Sequence, residues 1–100
     1  PSGPLFRKAE FKKGAAYVSF DHADGLRPAN EGEKLLTFEV AGEDRTFHPA
    51  KAVVQEDSKV KVWSKEVKNP TIVRYGWQPY TKANLVNGAG MPASTFRSDL

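Results

Sequence analysis

The stretch Pro70-Thr71-Ile72-Val73-Arg74-Tyr75-Gly76-Trp77 limits what this chain can fold into more than any other. Ile72, Val73, Tyr75 and Trp77 are β-branched or aromatic, and the run is bounded by Asn69-Pro70 ahead and Pro79 behind, so it reads as a strand. Apolar groups fall on both of its faces, which makes that strand central: it needs a partner along each edge and a layer above and below. Behind it comes a coil rich in Gly, Pro, Asn and Ser that still carries Leu85, Val86, Met91 and Phe96. Apolar residues spaced irregularly in a coil seek a surface to cover. The tail is therefore expected to lie across Trp77 and Tyr75 and to close the core there.

The chain ahead of this strand supplies its partners. Leu5 to Phe11, with Leu5 and Phe11 set among Arg7, Lys8 and Glu10, suits a half-exposed edge strand of imperfect alternation. After the turn Lys12-Lys13-Gly14, Ala15 to Phe20 puts Ala16, Val18 and Phe20 on one face. A long polar loop follows, with Leu26 as its anchor. A strand from Leu35 to Val40 is expected to turn Leu36, Phe38 and Val40 inward, and Thr46-Phe47-His48 forms a short strand stopped by Pro49. Ala50 to Gln55 and Lys59 to Trp63 flank Glu56-Asp57-Ser58 as a hairpin, with Ala52, Val54, Val60 and Val62 inward and lysines guarding the second arm as an exposed edge. About seven short strands, roughly ten residues apart and without a convincing helix, predict an all-β, antiparallel sandwich of immunoglobulin or fibronectin type. The irregular tail packs on it.

A chain of 100 residues is read as one domain over 1–100, large enough for one modest core. Its opening, Pro1-Ser2-Gly3-Pro4, is linker chemistry and suggests a piece cut from a longer multidomain protein. No apolar run nears the roughly 18 to 20 residues that cross a bilayer as a helix, so no membrane partner is expected. The net charge of +3 is spread along the sequence without a basic stripe, which argues against nucleic acid. With no cysteine, disulfides, thiol catalysis and thiolate metal sites are all excluded.

Catalytic chemistry finds little support. No serine sits in a Gly-x-Ser-x-Gly setting, and His22 and His48 read as ordinary loop and edge histidines without metal-ligand spacing. No catalytic residue, cofactor or metal is therefore expected. Arg74 is the exception in interest. Between Ile72 and Gly76 on a central strand, it must either reach water or meet a carboxylate, because an unpaired buried guanidinium is very costly. It is expected to be at least half buried and paired. Trp63, Trp77, Tyr75 and Tyr80 have faces on which sugars can stack, but in a small sandwich such rings more often fill the core.

Several motifs, in order and at consistent spacing, carry a resemblance. These are Ser2-Gly3-Pro4; Phe38-Glu39-Val40-Ala41-Gly42-Glu43-Asp44 with Phe47 and Ala50; Val73-Arg74-Tyr75-Gly76-Trp77; Asn84-Leu85-Val86-Asn87; and Pro92-Ala93-Ser94-Thr95-Phe96-Arg97-Ser98-Asp99. Together they resemble the C-terminal end of sialate O-acetylesterases. The chain departs from that pattern at Gly76, Val86, Met91 and Thr95, where Ala, Tyr, Leu and Pro are usual. The resemblance implies an appended β-sandwich rather than the catalytic SGNH-hydrolase-type domain, whose serine and Asp-x-x-His lie upstream of the part matched. It implies a partner, the upstream esterase domain of the same polypeptide, and a secreted, periplasmic or lysosomal setting. A carbohydrate-binding module using exposed aromatics is the alternative. The residues marked out for structural or interdomain roles are Arg74, Tyr75, Trp77, Asn84, Asn87, Phe96 and Arg97.

Overall fold

A computed structural model describes residues 2–77 and 82–100 of the chain. Ten strands and no α-helix are present among them: β1 Leu5–Lys12, β2 Ala15–Asp21, β3 Arg27–Pro28, β4 Phe38–Ala41, β5 Phe47–Pro49, β6 Lys51–Val54, β7 Val60–Trp63, β8 Ile72–Tyr75, β9 Leu85–Val86 and β10 Phe96–Arg97. The expected count of about seven falls short because three of the ten are two-residue strands, too short to leave a periodic signature. One sheet runs β1-β2-β7-β6 and the other β10-β8-β4-β5, every pair antiparallel, with β3 and β9 forming a small third ladder. The architecture is an all-β antiparallel sandwich.

Local chemistry sets the connections. The β1–β2 turn uses Lys13 and Gly14, both at positive φ (49° and 77°), the pairing that lets two residues join antiparallel strands without splaying them. Gln55 and Lys59 close the β6–β7 hairpin, where the Asp57 carboxylate accepts from the Lys59 N–H. Inward side chains meet between the sheets: Ala16, Val18, Phe20, Val60, Val62 and Ala52 from one, Phe38, Val40, Val73, Tyr75 and Phe96 from the other. Leu26 is buried as the anchor of its loop, and Leu35 and Leu85 join the same core.

Four expectations need correction. The register of β1 shifts between Phe6 and Lys8, a bulge that leaves Arg7 unpaired, so Phe6, Ala9 and Phe11 pack on the core and Leu5 is exposed. Residues 33–36 form no strand; Thr37 takes a left-handed φ of 65° just before β4, and the alternation breaks there, so Leu35 is buried and Leu36 faces water. The guarded edge is misplaced as well. β7 lies between β2 and β6, and it is β6 that ends the sheet.

The fourth correction concerns Trp77. β8 is flanked by β4 and β10 as its composition requires, but the strand stops at Tyr75. Gly76 turns to a φ of 73° and donates its N–H to the Thr37 carbonyl, and a Cβ there would lie 2.6 Å from Thr95 Cγ2. Strict alternation would have carried Trp77 inward. The left-handed glycine instead leaves its indole 37% exposed, while Tyr75 remains buried. Gly76 and Thr95, two of the four departures from the resembled pattern, thus stand against each other. The turn expected at Pro79 and the aromatic Tyr80 lie outside the described residues.

Candidate functional site

The seven marked residues fall into two groups by the face on which the fold sets them. Tyr75, Phe96, Asn84 and Asn87 fasten the tail from within. Phe96 stacks on Phe6 at 4.6 Å between ring centroids and meets Phe20 at 5.7 Å, Tyr75 at 6.0 Å and Phe38 at 6.5 Å. This one ring of the tail plugs the core between both sheets. The Tyr75 hydroxyl accepts the Leu85 N–H at 2.8 Å. Burial pushes the phenol above its ordinary value, and the hydrogen bond from Leu85 offsets that in part.

The two asparagines replace missing ladder bonds. Asn84 accepts the Leu36 N–H through Oδ1 (2.8 Å) and donates through Nδ2 to the Lys34 carbonyl (2.9 Å), pairing a segment that has no strand partner of its own. Asn87 accepts from the Ala89 and Met91 N–H groups and donates to the carbonyls of Ser2 and His22. Backbone hydrogen bonds complete the strapping, from Ala93 to Leu85, Ser94 to Pro4 and Gly88 to Asp24. A buried asparagine with every polar atom engaged holds irregular backbone where a sheet would otherwise satisfy it.

Arg74, Arg97 and Trp77 stand on the opposite, outer face of the β10-β8-β4-β5 sheet. The register places Glu39, Arg74 and Arg97 side by side across β4, β8 and β10. Arg74 Nε donates to Glu39 Oε1 at 2.8 Å, and the two side chains are 17% and 18% exposed, which makes this a partly buried ion pair. The Arg74 guanidinium lies 3.8 Å from the centroid of Phe47 and 5.8 Å from that of Trp77. Arg97 reaches the same two rings at 5.1 and 5.9 Å while donating through Nε to Asp99 at 2.7 Å. Arg45 donates to the other Asp99 oxygen. The hydrogen bond from Arg97 leads, with that from Arg45 behind it, in holding the Asp99 carboxyl below the usual carboxylate value.

The outer layer is therefore two guanidinium planes set among two aromatic rings, each cation tied to a carboxylate. Flat, weakly hydrated guanidinium groups suit this stacking as lysine does not. Beside it in the register, Ala41 and Ile72 are buried although they project on the same face. Glu39, Phe47 and Asp99 were not marked for this layer from the sequence, since nothing local to them says which strands become neighbours. The only available signal was their place in the resembled motifs.

Chemical machinery of other kinds is sparse. Among the described residues no group of three His, Asp or Glu side chains has metal-binding geometry. Ser64 and Ser98 use their hydroxyls as acceptors from the Glu66 and Val73 N–H groups, and no serine–histidine hydrogen bond is found among those residues.

No protein-family model matches the chain, and neither does any curated protein. A solved structure does. A carbohydrate acetylesterase from Xanthomonas citri superposes with a TM-score of 0.89 at 40% sequence identity, a match that covers 98% of this chain and 23% of that protein. The chain thus spans about a quarter of the length of the enzyme it matches. Over nearly its whole length the chain is similar to one part of a carbohydrate acetylesterase, which is consistent with the resemblance to the C-terminal end of sialate O-acetylesterases.

Proposed function

We propose that this chain is the non-catalytic accessory domain of a longer carbohydrate O-acetylesterase, one that removes O-acetyl groups from sialic acids or related sugars, and that it buttresses the upstream SGNH-hydrolase-type domain. The observation that carries this reading is the pair of coverages: nearly all of this chain aligns at 40% identity with less than a quarter of an acetylesterase. The tail supports it. Asn84, Asn87, Tyr75 and Phe96 spend their polar and apolar groups on closing this domain's own core, a scaffold's use of such residues. The test is turnover of a chromogenic acetate and of O-acetylated sialic acid by the 100-residue chain alone. No hydrolysis above background is expected. Turnover that disappears in His22→Ala or His48→Ala would overturn the reading.

A second reading, a carbohydrate-binding module, is favoured by one observation: the partly exposed indole of Trp77, set beside two guanidinium groups able to donate to hydroxyl or carboxylate oxygens. Calorimetric titration with sialic acid and with neutral oligosaccharides separates the two. Saturable binding lost in Trp77→Ala would support the module.

A further inference from the structure

The β-sandwich is open along β6. That strand ends its sheet, and the alternation of the β6–β7 ladder, set by the hydrogen bond from the Gln55 N–H to the Lys59 carbonyl, turns the backbone groups of Ala52 and Val54 away from β7 toward the free edge. Among the described residues no backbone hydrogen bond reaches Ala52 or Val54 from that side. A cleft of about 620 Å³ follows this edge, walled on the far side by residues 33–36. Its mouth carries two of the chain's large exposed apolar side chains, Leu36 at 41% and Val53 at 46%. Protein edges are ordinarily blunted by charge, proline or a bulge. Here the outward residue at mid-strand is a valine.

The shape and the charge of the cleft name an occupant. A free strand edge beside a trough takes an extended segment, which adds main-chain hydrogen bonds to β6 and sends alternate side chains into the trough. Arg27, Lys34 and Lys51 against Glu33 alone make the lining basic, so a segment bearing Asp or Glu among its apolar residues is the complement. We propose that β6 is the docking edge of this domain and that an acidic, extended segment from the remainder of the esterase polypeptide pairs with it. This rests on the accessory-domain reading above and says which surface performs it; the outer face of the other sheet already has its cations paired with Glu39 and Asp99.

Amide hydrogen exchange at Ala52 and Val54 tests the proposal, measured in the 100-residue chain and in the longer polypeptide. Pairing at the edge slows both amides by on the order of a hundredfold in the longer protein relative to the isolated chain, and Val53→Glu with Lys51→Glu, which puts charge on the edge and reverses the sign of the lining, removes the difference while the isolated variant keeps its melting temperature. A longer protein that melts as one cooperative unit while Ala52 and Val54 exchange as in the isolated chain overturns the docking edge and leaves the accessory reading standing. Independent melting of the two parts, with no protection, overturns both. Protection already present in the isolated chain, together with a concentration-dependent dimer, assigns the edge to a second copy and overturns the proposal.

Discussion

Tyr75 follows Arg74 in β8 and Arg97 follows Phe96 in β10, yet each pair divides between two environments that hold the same strands in different ways. On the inner face Tyr75 and Phe96 are buried among aromatic rings, with the phenol bonded to the tail. On the outer face Arg74 and Arg97 lie over Phe47 and Trp77, with their charge returned to Glu39 and Asp99. The inner contacts remove apolar surface from water, the larger effect per residue, at about 1.5 to 3 kcal/mol for a fully buried large side chain. The outer contacts are stacking and partly screened ion pairing, at roughly 0.5 to 1 kcal/mol each near water. One strand pair thus bears stability on one side and a patterned, mostly satisfied surface on the other.

The sharpest way to break this comparison is Phe96→Ala. Phe96 joins the tail to both sheets, so its loss opens a cavity between Phe6, Phe20, Phe38 and Tyr75 that small shifts cannot refill. Destabilisation of about 3 to 5 kcal/mol is expected, with the tail exposed to proteolysis, against a total of roughly 5 to 15 kcal/mol for such a domain. Denaturant melts of the variant check it. A loss under about 1 kcal/mol would mean that the tail is held by its asparagines and not by its ring.

On the outer face the informative pair is Glu39→Ala against Arg74→Met. Removing Glu39 strands a partly buried guanidinium, whereas methionine keeps the packing over Phe47 and leaves only a carboxylate able to reach water. The first should cost about 1 to 2 kcal/mol and the second less, both below the cost for a fully buried pair because each side chain is partly solvated. Equal losses in urea melts would show that leaving the guanidinium unpaired carries no penalty beyond the loss of the ion pair itself.

These two faces also mark how far the sequence could be read. Period-two alternation placed Ala16, Val18 and Phe20 inward, as it did Val60 and Val62, because every residue in those runs obeys a local rule. It failed at single-residue breaks. The bulge at Arg7 exchanges Leu5 for Phe6, Thr37 exchanges Leu36 for Leu35, and Gly76 carries Trp77 outward. Each break is tied to groups far along the chain. Asn84 holds residues 34 and 36 from 50 and 48 positions away, and no local pattern announces that. The outer layer was half legible for the same reason: an arginine on a central strand demanded a carboxylate, but the identity of Glu39 waited on the β4–β8 register.

Tyr75→Phe sharpens the inner side further. It keeps the ring and removes the acceptor of the buried Leu85 N–H, for an expected cost of about 1 to 2 kcal/mol. It also changes the response to base. Burial raises the folded-state pKa of Tyr75 above the unfolded value of about 10, so its contribution is fully present below that pH and is lost as pH rises through the folded value. Urea midpoints measured from pH 9 upward should decline in the native chain and decline less in Tyr75→Phe. Parallel curves would show that the phenol is not what links folding to alkaline pH.

The smallest effect on stability is expected at Trp77, the residue that a strand of strict alternation would have made the largest. Its indole is partly exposed, lies beyond the end of β8, and meets guanidinium groups at 5.8 and 5.9 Å from the ring centroid, distances at the outer limit of useful cation–π attraction. Phe47, not Trp77, is the ring on which Arg74 stacks closely. Trp77→Ala should therefore cost no more than about 1 kcal/mol, because it opens no cavity and unpairs no charge. Thermal melts of Trp77→Ala and Phe47→Ala, run side by side, rank the two rings, and the second should be the more damaging. If Trp77→Ala matched the loss in Phe96→Ala, the division between the two faces would fail at Gly76, and the indole would have to count with the core.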